Sequence, residues 1–290
     1  AYQRYITDYT RTVQSLDDSI GTLLDYLDEH GLAENTLVIY TSDQGMFLGE
    51  HGYNDKRLMY EESLKMPFLA RFPGEIAAGS VSDDILLNVD FAPTLLEYAG
   101  VDVPPEMQGT SGRALLRGEM PEDWQTSMYY RYWMHMPPRH KIVAHYGVRN
   151  ERYKLIYYYG EALGSTGSRD ISVLPEWELF DLENDPNEMV SVYADPAYAD
   201  VVSSLTADIE RTGASVARDG RHKLIYSGGI LSEMGTGNAD FTKEWELFDL
   251  QNDPSEMNNV YSDPAYAHVI SEMTAELDRL QSAVGDVGRH

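Results

Sequence analysis

The sequence predicts an α/β portion followed by a small antiparallel sheet with a helix, the second of these present twice. Three observations carry this. Ile6, Val13, Leu16, Ile20, Leu23, Leu24 and Leu27 recur at helical spacing, and a β-branched run, Thr36-Leu37-Val38-Ile39-Tyr40, follows them. From residue 126 the chain turns to aromatic, strand-like runs broken by Pro and Gly. From Arg149 onward it then repeats itself with an offset of 68 residues, Trp177 to Trp245. The expected boundaries are 1–125, 126–215 and 216–290.

The first element is a helix over Tyr2–His30 that covers a core, stopped by Gly31. The run 36–40 reads as a strand buried on both faces, as in a parallel sheet. Pro67–Phe72 reads as another buried strand, closed by Pro73-Gly74. Asp90 is placed to cap a helix with Pro93 in its first turn and Gly100 at its end. Tyr129–His135 is a dense aromatic strand, Pro137-Pro138-Arg139-His140 turns the chain, and His145–Arg149 enters the next strand. Two readings of the aromatic run stay open: a packed sheet, or rings that stack on sugars beside His and Arg that bind hydroxyls and anions.

The repeat is close. Arg152-Tyr153-Lys154-Leu155-Ile156-Tyr157 returns as Arg221-His222-Lys223-Leu224-Ile225-Tyr226. Glu176–Leu182 returns as Glu244–Leu250, and Asp195-Pro196-Ala197-Tyr198 as Asp263-Pro264-Ala265-Tyr266. Each unit reads strand, loop, strand, Asn-Asp-Pro turn, then a helix capped by Asp-Pro. The second unit has Ala214-Ser215-Val216 where the first has His145-Tyr146-Gly147, so that strand's contribution is expected not to be copied.

Composition bounds the function. The chain has 290 residues, 42% of them hydrophobic, enough for one or two domains. Its formal charge of −26 argues against nucleic acid, which needs a basic face, and would suit a saline habitat. No apolar run approaches the ~20 residues that span a bilayer, and no signal-peptide pattern opens the chain. It begins at Ala1 without Met, which points to a truncated or processed start. With no cysteine there is neither disulfide nor thiol chemistry.

The chemistry-bearing stretch is Thr41-Ser42-Asp43-Gln44-Gly45, running on through Gly49-Glu50-His51-Gly52 to Lys56. It follows a strand, where open α/β sheets place ligands. The Asp43 carboxylate and the Gln44 amide carbonyl are hard oxygen donors, suited to Ca²⁺ or Mg²⁺ rather than zinc. Lys56 is a point charge of the kind that holds an oxyanion. A cation beside a lysine describes a site for a phosphate or sulfate ester. Arg57 is expected to pair with Glu61 or Glu62, and His51, between glycines, to brace the loop or touch substrate.

The run from Thr41 through Leu48–Gly52, Asp55-Lys56-Arg57 and Tyr60-Glu61-Glu62-Ser63 to Met66-Pro67 resembles the type I, formylglycine-dependent sulfatases of the alkaline-phosphatase superfamily, with an N-acetylglucosamine-6-sulfatase-like character. The resemblance implies the C-terminal portion of that fold, with its small antiparallel subdomain. It implies Ca²⁺ (Mg²⁺ less so) on Asp43 and Gln44, a sulfate contact from Lys56, and a sulfated carbohydrate substrate. Low-priority substrate candidates are His51, His135, His140 and His145. It implies a periplasmic or extracellular enzyme. The family's nucleophile is made from the Cys or Ser of a Cys-x-Pro-x-Arg motif, and nothing here matches; Ser165–Arg169 lacks the proline. The chain alone is therefore expected to be inactive, with a missing N-terminal half or a swapped second chain as partner. Two other readings stand beside this one. One is a non-catalytic glycan-binding or scaffold protein derived from a sulfatase. The other is a phosphodiesterase or phosphonate hydrolase of the same superfamily.

Overall fold

A computed structural model describes residues 1–105, 107–162, 167–212, 216–218, 222–227, 244–249 and 260–283. Two compact units divide the chain, Ala1–Leu205 and Thr206–His290.

The first unit opens with helix α1 (Tyr2–Glu29), and Gly31 leaves it at φ +65°. Only Leu27 of α1 is buried, while Val13, Leu16 and Leu23 are exposed. The expected core-covering role is thus not seen. Strand β1 (Val38–Thr41) differs from expectation as well. It pairs antiparallel with β4 (Phe68–Arg71), register Val38–Arg71 to Thr41–Phe68, in a sheet of two strands. Both are half-exposed, with Leu69 65% accessible. A continuous apolar run reads as buried on both faces only when layers cover both. Here α1 lies over one side, leaving a groove of about 310 Å³ between Val13, Leu16, Ile20 and Leu24 and the sheet residues Val38, Tyr40 and Leu69.

Between β1 and β4 run a short ladder, β2 (Phe47–Leu48) with β3 (Asn54–Asp55), and the one-turn helix α2 (Glu61–Leu64). Helix α3 (Phe91–Tyr98) starts after Asp90 as predicted, but the Asp90 side chain does not cap it. Instead the fully buried carboxylate accepts from Leu87 N (2.8 Å), Thr110 N (2.9 Å) and Gln125 Nε2 (2.6 Å). It ties the segment before α3 to the chain around α4 (Arg113–Leu116).

The sheet of this unit has strand order β5 (Ser127–Tyr132), β6 (His145–Asn150), β7 (Tyr153–Tyr158), β8 (Glu176–Asp181), all antiparallel. Alternation along β7 and β8 gives it two faces. Ile156 and Phe180 on one face pack against Phe47, Leu58, Met59 and Tyr60, so the sheet's core is also the support of the segment that carries Lys56. Gly147 permits that approach: a Cβ there would lie 2.2 Å from Leu155 O and 2.7 Å from Met59 Sδ. The aromatic strand ends at Tyr132, so His135 lies beyond it. Asp195 accepts from Ala197 N at the start of the turn leading into α5 (Ala199–Thr212).

In the second unit β9 (Val216–Arg218), β10 (His222–Ser227) and β11 (Glu244–Asp249) form a three-stranded antiparallel sheet in the order β11-β10-β9. Lys223 pairs with Phe248 as Lys154 pairs with Phe180, and Arg218 with Lys223 as Arg149 with Lys154. Strand β9 begins at Val216, inside the stretch where the two sequences differ. Leu247 packs with Val269 and Met273 of α6 (Ala267–Ala283), which Asp263 opens by accepting from Ala265 N.

Candidate functional site

The segment from Gly49 to Arg57 is bent by five positive φ values: Gly49, His51, Gly52, Asp55 and Arg57. Glycine adopts these freely; Asp55 (φ 90°) and Arg57 (φ 109°) do not, at a cost of about 1–3 kcal/mol each. Neighbours hold the strain in place. Arg57 N donates to Ser63 Oγ (2.9 Å), and Tyr130 of β5 donates its hydroxyl to Arg57 O (2.9 Å). The Arg57 guanidinium binds the Asp55 carboxylate, which it holds below its usual pKa against the opposing effect of burial. The expected Arg57 pairing with Glu61 or Glu62 does not form. Glu61 is taken instead by Lys154 (2.8 Å) and Arg149 (3.2 Å) from the sheet.

This bend and the β5–β6 connection enclose a cavity of about 110 Å³ lined by Phe47, Tyr53, Asn54, Lys56, Arg57, Leu58, Arg139, His140 and Ile142. Four of the nine are basic. His140 Nδ1 lies 3.7 Å from Asp55 Oδ2, within reach of an ion pair when protonated. The Lys56 and Arg139 side chains make no hydrogen bond or ion pair among the described residues. In a chain of formal charge −26, such a cavity is a local trap for an anion.

The structure thus brings together two of the sequence candidates, Lys56 and His140. His51 does not line the cavity. It stacks on Tyr60 (4.6 Å), meets Phe47 edge-on and faces Glu62 at 3.7 Å, the bracing arrangement of its two expected roles. His135 is fully buried: Ile171 O lies 2.6 Å from Nε2, and Nδ1 accepts from Ala144 N. His145 is fully buried among Tyr130, Tyr132 and Tyr158, with Nδ1 on Val143 O, and burial pushes its pKa down to about 4. Neither ring opens on the cavity. Of the Ser165–Arg169 string, Ser165 and Thr166 lie outside the described residues, while Ser168 Oγ accepts from His135 N.

Asp43 and Gln44 lie outside the cavity lining. They adjoin each other, with Gln44 Nε2 donating to Asp43 Oδ2 (3.2 Å). Amide oxygen and nitrogen are interchangeable in such an assignment. Turned over, the amide would set two oxygens side by side, the donor type a hard cation would take. The residues fit Ca²⁺ in donor type and supply two of the six to eight oxygens it takes. No group of three or more His, Cys, Asp or Glu residues poised for a metal occurs among the described residues. No described helix is long and apolar enough to cross a membrane.

Sequence reading named Arg139 only as part of the Pro137–His140 turn, not as a site candidate; the fold sets that turn against Lys56.

The profile of the family described as N-sulphoglucosamine sulphohydrolase, C-terminal, matches residues 49–215 and 239–283. An N-acetylglucosamine-6-O-sulfatase of Bacteroides thetaiotaomicron is 44% identical over 213 residues, 73% of this chain and 36% of that protein. A protein solved in complex with its substrate D-glucosamine-2-N,6-O-disulfate superposes with a TM-score of 0.65 at 44% identity, over 73% of this chain and 40% of the other. A phosphonate monoester hydrolase from Silicibacter pomeroyi superposes at 0.55 and 26% identity, over 67% and 38%. The chain therefore spans well under half the length of these relatives.

Proposed function

This chain belongs to the type I sulfatases of the alkaline-phosphatase superfamily, and we propose that it is the C-terminal portion of an exported sulfuric ester hydrolase acting on sulfated amino sugars. The observation that carries the proposal is the basic cavity with Lys56 unpaired at its wall. Lys56 holds the sulfate group of the ester there and offsets its charge. Asp43 and Gln44 do not line that cavity; by the family likeness they would be two ligands of a Ca²⁺, whose chemistry would be to polarise sulfate oxygens. The attacking group and the remaining ligands come from outside this chain, so the chain alone does not turn over. The second unit is a second copy of the distal subdomain, and deleting residues 216–290 then costs the first unit little stability in a melting experiment.

Titration of N-acetyl-D-glucosamine 6-sulfate into the chain with Ca²⁺ tests the site: binding should be lost in Lys56→Ala. An aryl sulfate should stay intact over the same preparation. Turnover that vanishes with Lys56 would refute the inactive-portion reading, and binding indifferent to Lys56 would refute the site.

The phosphonate hydrolase likeness favours one competing reading, a phosphonate monoester as substrate. Phenyl methylphosphonate, a phosphonate monoester, displacing the sugar sulfate at lower concentration than phenyl sulfate would favour it.

A further inference from the structure

The cavity holds more positive charge than one sulfate ester uses. Lys56, Arg57 and Arg139 are permanent cations, and the single carboxylate that answers them among the described residues, Asp55, is engaged by Arg57 and faces His140. Two positive charges remain. Elsewhere in the first unit several arginines hold carboxylates, Arg71 on Asp28, Arg113 and Arg117 on Glu75, Arg149 on Glu61 and Arg152 on Asp181, while Arg131 lies over Trp133 and Arg169 donates to Met136 O. Arg139 has no such partner among the described residues. A sulfate monoester brings one negative charge, which leaves one cation of the wall without a counterpart.

The segment that presents Arg139 is built, not slack. Met136 (φ 47°) and Lys141 (φ 53°) bracket it in the left-handed region that L side chains avoid. Met136 N donates to Ile142 O (2.6 Å), closing the turn, and His140 N and Lys141 N both donate to Pro137 O. Arg169 Nε donates to Met136 O from the loop beyond β7, and Ile142 is buried. Backbone strain that the surroundings hold in place belongs where the position of a tip matters.

We propose that Arg139 is a specificity-determining residue, holding a second anionic substituent of the sugar whose sulfate Lys56 holds, so that the site prefers a dianionic sugar to a monoanionic one. This rests on the reading of the cavity as a sulfate-ester site. The planar guanidinium suits a group whose charge is spread over two or three oxygens, a sulfate or a carboxylate, whereas Lys56 acts as a point charge.

Calorimetry on the full chain tests it with three probes: N-acetyl-D-glucosamine 6-sulfate, D-glucosamine 2-N,6-O-disulfate, and a 6-sulfated disaccharide bearing a uronate. At least one dianion should bind about tenfold tighter than the monosulfate, and which one does so identifies the second group. Arg139→Ala should bring the affinities within about twofold of each other, by loss on the dianion, and Arg139→Lys should restore part of the gap. A general field effect would weaken all three probes alike. Equal affinities in the native chain, or an equal loss on all probes in Arg139→Ala, overturns the proposal while Lys56 dependence still stands. Failure of every probe to bind, or binding indifferent to Lys56→Ala, overturns the sulfate-site reading along with it.

Discussion

Lys154 Nζ, fully buried, lies 2.8 Å from Glu61 Oε1 and 2.7 Å from Glu188 Oε1. Glu61 opens α2, a few residues after Lys56, and Glu188 follows β8, so one ammonium joins the sheet to the cavity-bearing segment. Glu61 N also donates to Glu188 Oε2 (2.6 Å), and Arg149 adds a second cation on Glu61. Burial works to raise the Glu61 pKa, but Lys154 and Arg149 outweigh it and lower it; at Glu188 burial wins and the pKa is raised.

Lys154→Met should destabilise the first unit by roughly 3–5 kcal/mol, because two buried carboxylates lose their shared cation. Urea denaturation reads this as a lower midpoint at unchanged slope. Adding Glu61→Gln should recover part of the loss. A loss below ~1 kcal/mol would mean the carboxylates reach water without the lysine.

His145 should make stability fall with acidity. His145 has its pKa pushed from 6.5 down to about 4 by burial. The unfolded chain takes the proton first, so this contribution is whole above pH 6.5 and is lost as pH falls toward 4. The expected loss between pH 7 and 5 is about 2 kcal/mol. His145→Phe should flatten that part of the profile. Glu61, with its lowered pKa, adds a loss of the same sign at lower pH, while Glu178 and Glu188, raised, oppose it.

Asp90→Ala should cost about 3 kcal/mol, since three donors would be left without their buried acceptor. Were Asp90 a simple helix cap, the loss would be nearer 1 kcal/mol. Asp90→Ser, which can cap, separates the two: thermal denaturation should show it barely better than alanine.

Gly45→Ala should destabilise by about 1–3 kcal/mol. A Cβ there would stand 2.2 Å from Glu62 O and 2.8 Å from Lys65 O, both backbone atoms, and Gly45 N donates to Ser63 O. The displaced loop carries Asp43 and Gln44. Any rise in melting temperature that Ca²⁺ gives the native chain should therefore vanish in Gly45→Ala, as in Asp43→Asn.

Local signals were legible where the physics is local. Gly31 ends α1, Asp195 and Asp263 open their turns with side-chain hydrogen bonds, and the run before Thr41 is a strand. Lys56 could be singled out as a cation following the loop's glycines, and the fold puts it on a cavity wall. The strand's burial and direction were not, since an apolar run states only that cover is wanted, not which layer supplies it. Sequence could not separate the histidines, because a ring nitrogen can serve a ligand or a carbonyl equally well: His140 lines the cavity, whereas His135 meets Ile171 O, brought up by the fold, and His145 meets Val143 O, two residues away.

By itself the sequence determined the elements, the repeated segment, the anionic surface and the loop on which Lys56 stands, because each follows from the order of side chains along a few turns of chain. Only the tertiary structure decided that Arg139 and His140 share a cavity with Lys56, that Asp90 binds Thr110 and Gln125 rather than capping α3, and that Lys154 reaches Glu61. Those pairings join residues up to 93 positions apart, Glu61 to Lys154. Distance along the chain carries no information about charge meeting charge until a sheet has been laid across it.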